Sequence, residues 1–149
     1  MAMEKSSMKW SAMFLASCLF SLALQAQEGT AFNAGWNRDS VALEGYVLGD
    51  NHGLKSSLGA SARYDHAERA AWGSVFLLLG LPITESEKVI VMLGPQAGVL
   101  PHGRGEAGVR TELDFRPSDS FRCGLVGEAY LSNADYPKAQ AFVFAGWCF

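Results

Sequence analysis

Cysteine is scarce in this 149-residue chain: there are three, and one of them, Cys18, lies in an apolar leader. The remaining two, Cys123 and Cys148, are too few for a scaffold built on several disulfides. Histidine is equally rare. His52, His66 and His102 stand in three separate connections with no ligand spacing between them, so neither a metal site nor a cofactor is implied. There is no basic excess: the formal net charge is −3, and beyond residue 26 ten basic residues face fourteen acidic ones. That balance gives no electrostatic footing for nucleic acid, which needs clustered positive charge. Past the leader, the longest apolar run, Val75 to Leu81, is far short of the roughly 20 residues of a membrane-spanning helix. Gly103-Arg104-Gly105 is not a phosphate loop, because no helical pattern follows it.

What is present begins with an export signal. Lys5 and Lys9 precede an apolar segment from Trp10 to Leu24, and Leu24-Gln25-Ala26 supplies a small-residue cleavage site before Gln27. The reading is a signal peptide over residues 1–26 and one domain over 27–149; Met8 is an alternative start. Leu15-Ala16-Ser17-Cys18 resembles a lipoprotein box, but the apolar run continues past Cys18, which favours simple cleavage.

The domain itself is written in alternation. From Ala107 to Arg116, one parity gives Ala107, Val109, Thr111, Leu113 and Phe115, and the other gives Arg110, Glu112, Asp114 and Arg116. A period of two sends these sets to opposite faces of a strand. The segments beginning at Phe121 and at Leu54 repeat the pattern, with Arg122 and Glu128, then Lys55 and Arg63, on the polar side. Val41 to Asp50 is similar, with Glu44 and Tyr46 polar. Turn-forming clusters separate the runs, as at Asn37-Arg38-Asp39-Ser40 and Pro117-Ser118-Asp119. The spacing predicts about eight strands starting near Thr30, Val41, Leu54, Ala71, Lys88, Glu106, Phe121 and Lys138, an antiparallel up-and-down β-barrel.

Parity constrains the connections, because directly opposed residues share a face. The second and third strands need an even loop, which Asn51-His52 supplies between Asp50 and Gly53. The sixth and seventh need an odd one, and Pro117-Ser118-Asp119 would set Asp114 opposite Arg122. On the same logic Cys123 stands opposite Trp147 or Phe149 and Cys148 opposite Arg122, so the two thiols project from opposite faces, with Cys148 shielded inside.

Alternation alone leaves open which face is inside. The chain ends in Phe149, with Trp147, Ala145 and Val143 at alternate positions before it. This resembles the C-terminal signature of small outer-membrane β-barrel proteins of Gram-negative bacteria. Small residues and glycine on the apolar parity, and Trp36, Tyr64, Trp72, Phe115, Phe121 and Trp147 near strand ends, fit a lipid-facing wall with interfacial girdles. The resemblance implies outer-membrane lipid as surroundings, and barrel assembly machinery engaged through the last strand. Glu44, Lys55, Arg63, Arg110, Glu112, Asp114, Arg116, Arg122 and Glu128 would then fill the interior as a charge network that plugs the lumen. The apolar-on-both-faces segments Val75–Leu79 and Val89–Leu93, with Phe142 and Phe144, predict a partly greasy interior. A soluble periplasmic ligand-binding barrel with the faces exchanged is the alternative.

A second resemblance is enzymatic. Eight-stranded lipid A deacylases carry His-x-Ser-Asn on the penultimate strand; the matching stretch here is Tyr130-Leu131-Ser132-Asn133. Tyrosine in place of histidine cannot serve as the base near neutral pH, so no catalytic residue is assigned.

Overall fold

The computed structural model describes residues 27–99, 105–131 and 139–149; the leader, Ser132, Asn133, His102 and Arg104 lie outside the described residues. The described residues form eight strands: β1 (Gln27–Trp36), β2 (Ser40–Asn51), β3 (Leu54–Asp65), β4 (Ala70–Pro82), β5 (Val89–Val99), β6 (Gly105–Ser118), β7 (Phe121–Tyr130) and β8 (Ala139–Cys148). Each pairs antiparallel with its sequence neighbour, and β1 closes on β8 through Ala31↔Cys148 to Trp36↔Val143, making a closed barrel. Closure leaves no strand edge unpaired, which removes the usual hazard of edge-to-edge association. The expected all-β, up-and-down, eight-stranded fold is the observed one, with strand starts within three residues of those read from the sequence.

Turn chemistry sets the ends of the strands. The β2–β3 turn is His52-Gly53 rather than Asn51-His52, with Asn51 opposite Leu54. Both central residues have positive φ, 54° at His52 and 87° at Gly53, the geometry of a type I′ hairpin whose twist matches the strands. Glycine at the second position draws the turn one residue onward, and Asp50 Oδ1 accepts the Gly53 N–H at 2.9 Å. Moving one residue on each strand preserves parity, so the faces stay as read. Asn37 and Asp65 do comparable work at the opposite end. Asn37 Oδ1 accepts from the Asp39 and Ser40 amides at 2.9 and 2.7 Å, and Asp65 Oδ1 accepts from Ala67 and Glu68 at 2.8 and 2.9 Å.

Two registers differ from the parity argument. Asp114 lies opposite Gly124, not Arg122, because an irregularity between Phe115 and Ser118 absorbs the odd residue before the turn at Asp119-Ser120. Such a bulge adds a residue to one strand only, and nothing in the alternation signals it. On the next ladder Cys123 faces Ala145 and Arg122 faces Gly146. The β4–β5 ladder also lapses opposite Gly94-Pro95, where proline has no N–H to give, and resumes in the same register.

The barrel is inverted relative to a soluble core. Outward positions carry Phe32, Leu43, Val75, Leu93, Leu125 and Trp147 among many exposed apolar side chains, while Arg110, Arg122, Asp114 and Glu112 are buried. At one end of the interior an apolar cluster of Tyr46, Leu48, Phe76, Leu78, Ile90 and Met92 fills the lumen; Val126, Phe142 and Phe144 form a second. The expectation of a partly greasy interior holds in both places. Two details are corrected. Trp72 points inward, 8 % exposed, so it belongs to no outer girdle. Glycine is mainly an interior residue: a Cβ at Gly59 would strike the Phe76 ring, and one at Gly35 the Phe142 ring. In so narrow a barrel, large interior groups need small neighbours to make room.

Because Asn-Gly suits a type I′ turn better than His-Gly, His52→Asn should stabilise the fold by about 0.5 kcal/mol. Chemical denaturation of the refolded chain reads this; a loss of stability would contradict the turn assignment.

Candidate functional site

The feature with the most chemistry in it is the interior charge network, which β2, β3, β6 and β7 supply through their inward parity. Arg110 on β6 is its hub. Its Nη2 donates to the Tyr46 hydroxyl at 2.8 Å and to Glu44 Oε2 at 3.0 Å, and its Nη1 donates to Glu128 Oε1 at 2.9 Å. Glu128 also accepts from Arg63 Nη1 at 2.7 Å, from Gln140 Nε2 at 2.9 Å and from the Tyr130 hydroxyl at 3.3 Å. On the other side Arg122 pairs with Glu112 and, at 3.1 Å, with Asp114, which in turn takes Arg116 Nε at 2.9 Å. Arg122 reaches Asp114 diagonally, across the register that Gly124 occupies.

Eight of the nine residues read from the sequence therefore meet in one connected set: Glu44, Arg63, Arg110, Glu112, Asp114, Arg116, Arg122 and Glu128. The set holds four guanidiniums and four carboxylates, so its formal charge is zero. That balance is what burial requires, since an unpaired ion in this setting would cost several kcal/mol. Lys55 stands apart. At the end of the barrel that carries the β2–β3 turn it pairs with Asp50 and, at 2.8 Å, with Glu87 of the β4–β5 loop.

The guanidiniums also lie over rings. Arg110 sits 4.0 Å from the Phe76 centroid, Arg63 4.3 Å from Phe142, and Arg122 4.6 Å from Tyr46. Such contacts strengthen when both partners are desolvated. The sequence placed Tyr46 and Tyr130 on the polar parity but gave no sign that their hydroxyls join the network. The Tyr46 hydroxyl lies 2.5 Å from Glu44 Oε2 and 3.2 Å from Glu112 Oε2. Two buried amides, Asn33 and Gln96, bond to no group among the described residues.

At its apolar end the interior is filled by Leu78, Ile90 and Met92, each fully buried in one cluster. Above that plug lies an open concavity of about 880 Å³, lined by Lys55, Glu87, Lys88, Arg116, Cys148 and Phe149 among others. Cys148 is half-buried and borders this mouth, so it is not shielded as the parity argument had it; both Cys123 and Cys148 are free thiols. In the C-terminal strand, Val143, Trp147 and Phe149 are exposed on the outer wall and Ala145 is half-buried among them. At the position corresponding to the deacylase histidine, Tyr130 is buried with its hydroxyl on Glu128. Ser132 lies outside the described residues. Among the described residues no group of histidines, cysteines and acids could hold a metal ion.

No protein-family model, no curated protein and no solved structure matches this chain. The geometry of the chain itself carries the functional reading.

Removing the hub leaves the buried Glu44 without an ion-pair partner and takes one of two guanidiniums from Glu128. Arg110→Met should cost about 3–5 kcal/mol or prevent folding, while Lys88→Met, in the exposed β4–β5 loop, should stay within about 0.5 kcal/mol. Denaturant titration of both variants separates the outcomes; equal tolerance would contradict the network.

Proposed function

We propose that this chain is a small outer-membrane β-barrel protein with a plugged, charge-balanced interior, serving a structural or surface-interaction role rather than transport. One observation carries the reading: among the described residues from Phe32 on β1 to Trp147 on β8, no outward strand residue is charged, whereas the charged strand residues there point inward or sit at the rims. A soluble barrel has the reverse arrangement, because water on the outside solvates charge and the core excludes it. Even the outward Thr111 hydroxyl is paired within the wall, donating to the Gly127 carbonyl at 3.3 Å.

Dimensions support the same reading. Strands of 10 to 14 residues meet the about 9–11 residues that a tilted membrane strand needs. Outward aromatics sit toward both rims, Trp36 and Tyr64 at one and Phe115, Trp147 and Phe149 at the other, as interfacial girdles require. The rim that carries the chain ends has the tight His52-Gly53 and Asp119-Ser120 turns. The first rim also carries the β4–β5 loop between Pro82 and Val89, and the β7–β8 connection on the opposite rim, between Tyr130 and Ala139, is longer than it. In outer-membrane barrels short turns face the periplasm and longer loops the exterior, which supports a β7–β8 connection at the cell surface. The interior network argues against an open pore, since an eight-stranded lumen is only wide enough for side chains to fill.

Two measurements test this. The tagged protein should fractionate with the outer membrane, require detergent for extraction, and migrate differently on gels when unheated. Release by osmotic shock in soluble form would overturn the reading in favour of a periplasmic barrel. Charge on the outer wall should also be penalised by depth. Val109→Arg at mid-strand should cost about 2–4 kcal/mol in lipid, and Gly105→Arg at the β6 rim about 0–1 kcal/mol. Equal cost at the two positions would contradict a lipid-facing wall.

A further inference from the structure

The outer wall is convex and apolar nearly everywhere, but it is indented between β7, β8 and the β1–β2 turn. A shallow trough of about 460 Å³ lies there, lined by Trp36, Asn37, Arg38, Leu125, Ala141 and Val143, with the edge of Phe142 behind. Small residues make the indentation. Ala141 is opposite Gly127 and Ala139 is opposite Ala129, while Leu125 opposite Val143 forms a taller wall beside them. Trp36, next to Val143 on the β1–β8 ladder, closes the third side and is half exposed.

The trough differs from a plain small-residue patch because a cation stands at its head. Asn37 Oδ1 organises the β1–β2 turn through the Asp39 and Ser40 amides, and Asn37 Nδ2 donates to the Ala141 carbonyl at 3.3 Å. That second bond ties the turn across to β8 and holds Arg38 at the rim. Arg38 is exposed and forms no ion pair among the described residues, and Asp39, though next in the turn, does not line the trough. An apolar furrow along the wall, headed by an exposed guanidinium at the depth of an interfacial tryptophan, is complementary to a molecule with an acyl chain below and a phosphate above. Arginine's planar fork suits phosphate oxygens, and tryptophan sits naturally at headgroup level.

We propose that this trough seats one acyl chain of a phosphate-bearing membrane lipid, with the phosphate against Arg38. The proposal rests on the membrane reading above and adds a specific lipid site to it. The occupant is the lipid rather than free phosphate, because the lining is almost wholly apolar below the rim.

The test compares the detergent-solubilised full chain with phosphatidylglycerol and with a diacylglycerol of the same chains, reading bound lipid per barrel by native mass spectrometry. Phosphatidylglycerol should be retained at about one per barrel and preferred by about tenfold, as a desolvated Arg–phosphate pair can supply. Arg38→Gln, in an exposed turn, should abolish the preference while leaving the fold intact. Ala141→Trp should fill the furrow and lower retention of both lipids, whereas Ala62→Trp, outward on β3, should change neither. Equal retention of the two lipids, or equal effects at Ala141 and Ala62, overturns the site. So does a dimer that Ala141→Trp dissociates without altering bound lipid, since the trough would then hold a second copy. A chain that is soluble and monomeric without detergent overturns the membrane reading and the site together. A chain that needs detergent but shows no preference overturns the site alone.

Discussion

The structure depends on one constraint: four guanidiniums and four carboxylates must be neutralised inside a narrow tube where most of them are buried from solvent. Arg110 satisfies most of it by bridging Glu44 on β2 to Glu128 on β7, two strands otherwise separated by the lumen. Pairs within one wall would hold adjacent strands; this one holds opposite walls. Around it Arg63 and Arg122 extend the pairing in both directions, and Phe76, Phe142 and Tyr46 offer ring faces to the guanidiniums. Buried ion pairs are seldom a net gain over a well-packed apolar core, because desolvation offsets much of the Coulomb attraction. Their effect here is specificity. A register slip by one residue on any of these strands would turn its charges outward, where the wall is wholly uncharged.

That constraint propagates outward. Interior arginines and phenylalanines need space, so Gly35, Gly59, Gly124 and Gly146 stand on the inner parity where a Cβ would collide with ring, side chain or facing backbone. Pairing the charges inside leaves the outer parity to apolar residues, and closure of β1 on β8 satisfies the backbone around the ring. Backbone groups paired strand to strand and an uncharged wall are together what a hydrocarbon surrounding demands. The same lumen holds the network and the buried Leu78, Ile90 and Met92, and the proposed role therefore lies in the wall and the loops.

Much of this was legible in the sequence, and the reasons for the rest are physical. β6 could be read residue by residue because Arg110, Glu112, Asp114 and Arg116 alternate strictly with apolar neighbours. β4 could not: Val75 to Leu79 is apolar on both faces, so the pattern carries no phase, and Trp72 was assigned to the girdle although it faces Arg63 inside. The β2–β3 turn is legible to within a residue, since a shift of one on each strand preserves parity and only the positive φ at His52 and Gly53 decides between the two. The irregularity between Phe115 and Ser118 left no trace in the alternation, which is why Asp114 and Arg122 meet diagonally rather than face to face. The charge set was readable as a list but not as a graph. Its separation into a network of eight and an outlying Lys55, and the part taken by two tyrosine hydroxyls, follow from distances across the lumen that no linear pattern encodes.

The central claim is that the two faces of every strand see lipid and a packed polar interior, respectively. Site-directed spin labelling along Ala107 to Arg116, with the protein reconstituted in bilayers, tests it most directly. Labels at Ala107, Val109, Thr111, Leu113 and Phe115 should be accessible to oxygen dissolved in the hydrocarbon and inaccessible to a polar relaxation agent, while labels at Arg110, Glu112 and Asp114 should be shielded from both or should prevent assembly. Odd positions relaxed by the water-soluble agent as strongly as by oxygen would show the apolar wall to be outside the membrane, and the account would fail.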